Sequence, residues 1–515
     1  MNLKLRRFIA NYWVLILLVA IKFILQSIVV NPVYELQRDE FLHLDQANHL
    51  AFGFISVPPL TSLISKLILL LGGNLFWIRF FPALFGALTL VFTWLIVEAI
   101  GGNLVSKILA GSAILFSVMV RLNILYQPNS FDILAWTVVF YLLIRFIQSN
   151  ESRWLYYLAV TIVLGLLNKY NLAFLIIGLL TGLLITPERK IVTNPWFWKA
   201  ILLALILFLP NLIWQAIHHF PVFEHMKALK ASQLAHNSSG DFLKGQIMFF
   251  FGSIPLSLAA LAAFIFFRPF RIYRAIGIAF VTVLAVFTIL KAKDYYALGL
   301  YPMIIAFGSV VIEQVLSRKV KWIVIPLLIS INLGIFILTA SVIYPLYTPV
   351  EINQHHADFE KFGLLRWEDG KNHSLPQDFA DMIGWREMAD KSLMAYQLIP
   401  DSEKGNTLII CDNYGQTGAL NYYNRKKMPE AYSFNTDYIF WLPRINRIQN
   451  VLLVGSEPSQ KILNMFSGCQ KVGIVENEFA REKGTEIFLL TGANAEFTSM
   501  FYKLAQERID KFDIF

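Results

Sequence analysis

Long apolar blocks separated by short polar connections fill most of the first 345 residues. Many blocks reach the roughly 20 residues that a helix needs to cross a bilayer, and they lack the alternation of β-barrel strands. The segment 59–72 is apolar but short, which favours an interfacial or re-entrant helix over a span. The pattern predicts about eleven transmembrane helices, near residues 10–30, 77–100, 104–121, 131–149, 154–168, 170–186, 197–217, 247–267, 273–291, 297–315 and 322–344.

Composition agrees with a polytopic α-helical membrane protein. The chain is 56% hydrophobic and only 15% charged, whereas soluble domains are nearer a quarter charged. The net charge of +9 favours anchoring at the cytoplasmic face over nucleic-acid binding. The N-terminus MNLKLRRF leads into an apolar run without a small-residue cleavage site, which favours a retained first helix over a removed signal.

Cations sort to one side of this topology. Every loop on the side of the N-terminus holds or adjoins a lysine or arginine, as the positive-inside rule requires of cytoplasmic loops. The N-terminus is therefore expected inside and the C-terminal part outside the cytoplasmic membrane. Most motif-like polar residues fall at the outer face, namely Asp39, Glu40, Asp132, Lys169, His218, His219, Lys291, Lys293 and Asp294.

The composition changes after Tyr344. Residues 345–515 hold most of the acidic residues, and short apolar strands alternate there with helical stretches. This pattern predicts a small α/β domain. The expected division is a transmembrane catalytic domain at 1–344, with its first outer loop at 31–76, and an extracytoplasmic α/β domain at 345–515. The two cysteines, Cys411 and Cys469, are too few for a disulfide framework, and pairing or free thiols both stay open.

The first outer loop carries the densest group of polar residues, in QRDEFLHLDQANHLAFGFISVPPL. Polar groups between membrane-length blocks need a water-filled cavity or a function. A carboxylate of the Asp39-Glu40 pair could act as a general base, or the pair could simply cap a helix. Pro58-Pro59 would position the chain without doing chemistry. Arg38 and His43 complete the candidate residues of this loop.

Other outer-face residues have two readings each. Asp132, in YQPNSFDILAW, is either a second acidic site residue or an anion favoured by a helix N-terminus. Lys169, Lys291 and Lys293 could neutralise a phosphate or extend to the membrane interface. Beside the last two, Tyr295 and Tyr296 suggest an anionic headgroup site or an interfacial tyrosine belt.

Cofactor signals are weak. His218-His219, with Glu224 and His225, could ligate a divalent metal ion, but the spacing matches no strong zinc motif. The chain has no phosphate-binding loop, no GxGxxG after a strand, no GxSxG and no CxxC, which argues against nucleotide hydrolysis and soluble-cofactor chemistry.

Seven segments of the chain together resemble a known family. They are RDEFLHLDQANHLAFGFISVPPL, RFFPALFGALT, QPNSFDILAW, GLLNKYNLAFL, LPNLIWQAIHHFPVFEHM, KAKDYYALGLYP and CDNYGQTGALNYY. The family that they resemble is glycosyltransferase family 39, the dolichyl-phosphate-mannose–protein mannosyltransferases of the GT-C fold, which have the lipid A aminoarabinose transferases as relatives. One departure is Val57, where the aminoarabinose transferases have the lysine of KPPL. That difference puts aminoarabinose and lipid A in doubt as substrates.

The resemblance implies transfer of a sugar from a polyprenyl-phosphate donor, at the outer face of the cytoplasmic membrane, to an acceptor of unknown kind. It implies Asp39 as the base, Glu40 beside it and Asp132 as a second acidic residue, with Lys169, Lys291 and Lys293 on donor phosphate or acceptor. A transporter or flippase of lipid-linked sugars is the alternative, although it favours inverted repeats and polar groups near midplane. A non-catalytic scaffold would leave the Asp-Glu loop unexplained.

Overall fold

The computed structural model describes residues 3–232 and 237–511, and side chains from residue 12 onward apart from residues 232–236 and 511. Each of the eleven predicted spans contains a helix. These helices are Leu3–Ile28, Leu75–Ala99, Leu104–Leu115, Pro128–Ser149, Ser152–Asn168, Leu172–Leu184, Pro195–Ile217, Ile254–Phe266, Arg274–Ile289, Tyr301–Val315 and Arg318–Ile343.

In the described ranges, six helices are long and apolar enough to cross a membrane, or eight if two bent pairs each count as one span. The exact number of eleven therefore stays a prediction. The chain is a multi-pass helical membrane protein. The predicted interfacial segment forms the helix Leu60–Leu70, which belongs to the shorter apolar helices.

Apolar side chains on the outside of the bundle fit a lipid environment. On the helix Pro195–Ile217, Leu202, Leu205 and Ile206 are 58%, 54% and 57% exposed. Such a continuous apolar face would be a liability in water, but it is the expected surface toward lipid tails. Inside the bundle, small residues let helices approach closely. A Cβ on Gly182 would lie 2.1 Å from the carbonyl oxygen of Ala275, as in other small-residue contacts between membrane helices.

The C-terminal part contains a mixed five-stranded sheet. The strands are β1 Thr407–Cys411, β2 Tyr432–Ser433, β3 Asn450–Gly455, β4 Phe466–Ile474 and β5 Glu486–Ala493. Their order in the sheet is β2-β1-β3-β5-β4. The central β1 and β3 are parallel, and β5 is antiparallel to both β3 and β4. The predicted α/β character is confirmed, with an additional two-residue strand, β2.

Shorter helices connect these parts. In the first outer loop lies Arg38–Gln46, and on the sheet domain lie Trp385–Gln397, Tyr414–Tyr423 and Phe497–Lys511. The remaining α-helices are Met119–Leu122, Pro221–Ser232, Ser239–Phe249, Pro349–Gln354, His356–Lys361, Gln377–Ala380, Asp401–Lys404 and Gln460–Leu463. The 3-10 helices are Pro187–Thr193, Phe251–Ser253, Arg268–Tyr273, Asp294–Leu300 and Thr436–Trp441. Both cysteines are free, with Cys411 buried and Cys469 exposed.

The C-terminal sheet domain packs directly on the first outer loop. Phe41, fully buried, contacts the rings of Trp385, Tyr422 and Tyr423 at centroid distances of 5.7, 5.8 and 5.9 Å. Gly418 permits this approach, since a Cβ there would lie 2.6 Å from the Cβ of Phe41. Loop and domain therefore lie on the same face of the protein.

Candidate active site

The helix Arg38–Gln46 begins with a capping box that involves Glu40 and leaves Asp39 available. Gln37 is the N-cap and accepts a hydrogen bond from the backbone N–H of Asp39, while the Glu40 carboxylate accepts from the N–H of Gln37. This reciprocal arrangement satisfies two backbone donors at the helix start. The capping alternative for the Asp-Glu pair therefore explains Glu40, and Asp39 is not the cap.

Glu40 lies in a closed pocket. Its side chain is 0% exposed, and Arg79 Nη1 and the backbone N–H of Tyr126 each donate to Oε1 at 2.6 Å. Arg79 also donates to the carbonyl oxygens of Glu35 and Ile124. A buried ion pair with its remaining lone pairs satisfied holds segments together, and removing one partner is costly. The geometry thus gives Glu40 a structural role, joining the first loop to Arg79 and to segment 124–126.

Asp39 is only partly buried, and side chains hold both of its oxygens. Tyr414 OH donates to Oδ1 at 2.7 Å, and Gln127 Nε2 donates to Oδ2 at 3.1 Å. Each carboxylate oxygen has two lone pairs, so each can accept a further hydrogen bond. Asp39 therefore lies between the sheet domain and the N-terminus of the helix Pro128–Ser149, with capacity left for a ligand.

A chain of hydrogen bonds leads from Asp39 to Lys169. Gln127 Oε1 accepts from Asn129 Nδ2 at 3.0 Å, and Asn129 Oδ1 accepts from Lys169 Nζ at 2.7 Å. The ammonium group of Lys169 also lies 4.4 Å from the ring centroid of Tyr296 and 5.2 Å from that of Tyr295. Lysine and tyrosines thus form one cation–π group. The structure therefore brings Asp39, Lys169, Tyr295 and Tyr296 into one region.

Asp132 is buried one helical turn further into the bundle. Trp136 Nε1 donates to Oδ1 at 3.0 Å, and Asn171 Nδ2 donates to Oδ2 at 2.8 Å and to the carbonyl oxygen of Tyr296 at 3.0 Å. Asp132 is 5% exposed and is the fifth residue of its helix. It therefore lies beyond the first-turn position that the N-terminal alternative assumed, and Asn171 links it to the backbone of Tyr296.

Lys293 links this region to the sheet domain. Its Nζ donates to Glu368 Oε1 at 2.8 Å, and Gln377 Nε2 donates to the other oxygen of Glu368 at 3.0 Å. Burial disfavours the charged form of Lys293, but Glu368, Tyr296 and Asp39 together outweigh burial and raise the pKa of Lys293. Lys293 is therefore a fixed positive charge close enough to Asp39 to interact with it.

The remaining predicted residues of the first loop differ in their surroundings. The guanidinium of Arg38 lies 4.4 Å from the ring centroid of Tyr414. His43 is buried beside Gln46 and Tyr126, and burial lowers its pKa although the charge of Asp39 opposes this. Pro58 and Pro59 are buried, and Pro59 is the N-cap of the helix Leu60–Leu70. The prolines position the chain, as predicted.

Three predicted residues lie apart from this group. His218 stacks on Trp214 at 4.2 Å and contacts Phe440, whereas His219 is exposed with φ at 59°. Lys291 is exposed with φ at 50°. The described contacts do not join these three residues to Asp39. Among the described residues, no three His, Cys, Asp or Glu side chains form a group that could hold a metal ion.

Several residues of this site were not predicted. They are Arg79, Gln127, Asn129, Asn171, Glu368 and Tyr414, which contact the predicted residues directly. Five of them, all but Glu368, stand inside or at the edge of the segments that carry the family resemblance. Tyr414, for example, is the fourth residue of CDNYGQTGALNYY. For Gln127, Asn129 and Asn171, the signal available in the sequence was an uncharged polar side chain in the same segment as Asp132 or Lys169.

A cavity of about 510 Å³ adjoins the Lys293–Glu368 pair. Its walls are mainly apolar and come from segments 248–252 and 335–344, and its polar end includes Arg121, Arg366 and Glu368. Arg121 donates to Asp378 at 2.9 Å, but its buried Nη1 has no hydrogen-bond partner in the described part of the chain. Asp294, Glu368 and Asp378 share the polar end with the two arginines, so the lining is not net positive, whereas the apolar walls suit a hydrocarbon chain.

Residues 56–214 match the family model for dolichyl-phosphate-mannose-protein mannosyltransferase. The family resemblance is confirmed over this segment. No curated protein sequence matches the chain. The match to the mannosyltransferase family model includes Arg79, Gln127, Asn129, Asp132 and Lys169, but it begins after Asp39.

Solved structures extend the likeness to almost the whole chain. ArnT from Cupriavidus metallidurans, in the apo state and bound to undecaprenyl phosphate, gives a TM-score of 0.63 at 14% identity, over 93% of this chain and 98% of that chain. The apo oligosaccharyltransferase of Archaeoglobus fulgidus gives a TM-score of 0.47 at 13% identity, over 82% of this chain and 64% of that chain. The predicted fold, a helical membrane domain with a C-terminal sheet domain, is shared with ArnT.

Proposed function

We propose that this chain is a membrane glycosyltransferase that moves a sugar from a polyprenyl-phosphate donor to an acceptor hydroxyl. The observation that carries the proposal is the pairing of a partly exposed carboxylate, Asp39, with nearby cations at Lys169 and Lys293. A base and a phosphate-neutralising group are the two components that such a transfer needs. The mannosyltransferase match and the undecaprenyl-phosphate complex of ArnT support the substrate class.

The reaction places each group in a role. Asp39 accepts the proton of the acceptor hydroxyl as that oxygen attacks the anomeric carbon of the donor sugar. The bond between that carbon and the phosphate oxygen breaks, and the polyprenyl phosphate leaves with the bonding electrons. Lys169 and Lys293 stabilise the charge that develops on the departing phosphate. Attack opposite the leaving group inverts the anomeric configuration.

The surroundings of these groups suit a lipid-linked donor. The 510 Å³ cavity offers apolar walls for part of a polyprenyl chain, while Lys169 and Lys293 offer positive charge for the phosphate. A lipid phosphate is already a good leaving group, so the proposed reaction requires no nucleotide site. The absence of nucleotide motifs in the sequence is consistent with this chemistry.

The proposed location is the outer face of the cytoplasmic membrane, with residues 1–344 as the catalytic membrane domain and 345–515 as the outer domain. The charge distribution of the loops supports this orientation. Tyr414 on Asp39 and Glu368 on Lys293 support a sheet domain that shares the face of the site.

The direct test is transfer by the purified chain. Reconstituted in liposomes, it is given undecaprenyl phosphate carrying radiolabelled mannose, glucose or aminoarabinose, with a membrane extract as acceptor. The expected result is a labelled product together with free undecaprenyl phosphate. Translocation of the donor across the liposome without either product would contradict transfer and support the flippase alternative.

A further inference from the structure

A second cavity, distinct from the apolar one, lies where the first outer loop meets the sheet domain. It measures about 220 Å³, below the roughly 300–1,000 Å³ of pockets for drug-sized ligands. One wall is the C-terminal end of the helix Arg38–Gln46, and the opposite wall is the end of the helix Tyr414–Tyr423 with the turn after it. The side chains used below are Asp45, Asn48, Tyr422, Asn424, Arg425 and Glu430.

Two acceptor oxygens of this cavity have unused hydrogen-bonding capacity. Asn424 is 1% exposed; its Nδ2 donates to the carbonyl oxygen of Ala389, but its Oδ1 is buried with no partner in the described ranges. Asp45 uses Oδ2 to accept from Tyr438 OH and Asn421 Nδ2, both at 2.7 Å. Among the described hydrogen bonds none involves its Oδ1. A buried acceptor without a donor is unfavourable unless a ligand or water supplies one.

The composition of the lining narrows the class of ligand. Carboxylates at Asp45 and Glu430 disfavour an anion, whereas Arg425 and Lys426 disfavour a simple cation. The amide and carboxylate oxygens accept hydrogen bonds, Asn48 and Arg425 also donate, and the ring of Tyr422 adds an apolar surface. Hydroxyl groups, which both donate and accept, match this mixture.

We propose that this cavity is a binding subsite for one sugar unit of a hydroxyl-rich acceptor, such as a glycan or the saccharide part of a glycolipid. Asp45 and Asn424 would accept from its hydroxyls, and Asn48 and Arg425 would donate to them. Asp45 follows Asp39 by six positions on the same helix, which is about 9 Å along the axis. The two residues are also about 120° apart around the helix axis, so only an acceptor of several linked sugar units could bind here and reach Asp39. Its use as an acceptor subsite rests on the proposed transfer, whereas the binding itself does not.

Binding is tested on the full purified chain without any donor. The detergent is an amine oxide, because alkyl glucosides and maltosides carry sugars themselves. The probes are the methyl glycosides of glucose, mannose, galactose and N-acetylglucosamine, and saturation-transfer NMR titrations measure their dissociation constants.

Two exposed lining residues supply the variants, Asn48→Ala and Arg425→Ala, and Lys427→Ala is the matched control. Lys427 is exposed in the same turn but does not line the cavity. We expect at least one glycoside to bind at millimolar concentration, to bind at least tenfold more weakly to both lining variants, and to bind the control unchanged.

Two outcomes would overturn the subsite. One is that no glycoside of the panel binds, and the other is that binding is equal in the wild type and both lining variants. Since the donor is absent, these outcomes are separate from the transfer assay. A chain that transfers sugar but binds no glycoside here keeps its proposed function and loses this subsite.

Discussion

Asp39 and Glu40 are adjacent in the sequence, but their carboxylates lie in two different regions of the molecule. Glu40 points into a closed pocket, where Arg79 and two backbone N–H groups hold it and no solvent reaches it. Asp39 points into a more open region, where the side chains of Tyr414 and Gln127 hold it. Successive helical residues are about 100° apart around the axis, which is enough to separate the two environments.

The comparison teaches that a pair of acidic residues in sequence need not act as a pair. Backbone donors and the partly buried Arg79 define one geometry for Glu40, and any departure from it leaves the buried charge of Glu40 unpaired. Side-chain donors can rotate, so Asp39 can take a new partner while it keeps its place. The closed region around Glu40 therefore suits a structural role, and the more open region around Asp39 suits a catalytic role.

Glu40→Gln should have the largest effect on stability. Breaking a buried ion pair costs about 3–5 kcal/mol, and thermal unfolding of the purified variant measures that loss. Glu98→Gln is the matched control, because Glu98 also lies 2.6 Å from a cation, Lys107, but is 44% exposed; an exposed pair contributes about 0–1 kcal/mol. Equal, small losses in both variants would contradict the framework role of Glu40.

The contact between loop and sheet domain should depend on pH. Asp437 accepts from the N–H of Ile55 and from Gln46, and burial raises its pKa to about 6, above its unfolded value near 3.9. The folded protein therefore favours the protonated form of Asp437 more than the unfolded chain does. The contribution of Asp437 to the free energy of unfolding is complete below about pH 4 and is lost as the pH rises through about 6.

Asp437→Asn carries no such group, so its stability relative to the wild type should improve between pH 4 and 8. The gain is at most about 1.4 kcal/mol for each pKa unit, and unfolding in urea at several pH values measures it. The exposed Asp390→Asn is the control. A difference between Asp437→Asn and the wild type that stays constant across this range would contradict the pH dependence.

Lys169→Met should weaken use of the donor while keeping much of the side-chain volume. Loss of one charge-assisted contact to phosphate costs about 1.5 kcal/mol, so the donor KM should rise about tenfold. Lys291→Met serves as the comparison, because Lys291 is exposed and outside the described hydrogen-bond chain. If both variants keep the wild-type KM, the reading of Lys169 as an interfacial lysine is favoured.

Tyr414→Phe should have the smallest effect. It removes the hydroxyl that donates to Asp39 at 2.7 Å but keeps the ring beneath Arg38. Gln127 still donates to Asp39 in this variant, and the net contribution of one hydrogen bond is about 0.5–1.5 kcal/mol. We therefore expect kcat to fall roughly two- to tenfold, with the donor KM unchanged. The control is Tyr502→Phe, which removes a hydroxyl that donates at 2.6 Å to the carbonyl oxygen of Pro443 within the sheet domain; it should change neither constant.

The sequence predicted some of the residues that meet at this site, but not what each one does there. Charge counting placed Asp39, Asp132 and Lys169 at one face, and the structure joins Asp39 to Lys169 through Gln127 and Asn129. That success follows from membrane topology, which sorts loops by side and needs only apolar length and cations.

The separation of Glu40 from Asp39 was not accessible in the same way. It depends on Arg79, which is 39 positions away and turns a motif residue into a framework residue. The contact of Tyr414 with Asp39, across 375 positions, depends likewise on how the sheet domain packs on the loop. The local sequence pattern predicts the helices and strands. Contacts between residues far apart in the sequence can be predicted only when the spatial arrangement of those helices and strands is known.

The most direct test compares Asp39→Asn with Glu40→Gln, measuring turnover and thermal stability of each on the same preparations. Asp39→Asn keeps size and hydrogen-bonding capacity but removes the base, so kcat should fall by about 10²–10⁴-fold with the unfolding temperature near that of the wild type. Glu40→Gln should have a lower unfolding temperature than the wild type. Its turnover at low temperature should fall only in proportion to the fraction of protein that is unfolded. An Asp39→Asn variant with near-normal turnover would contradict the account and move the search for the base to Asp132.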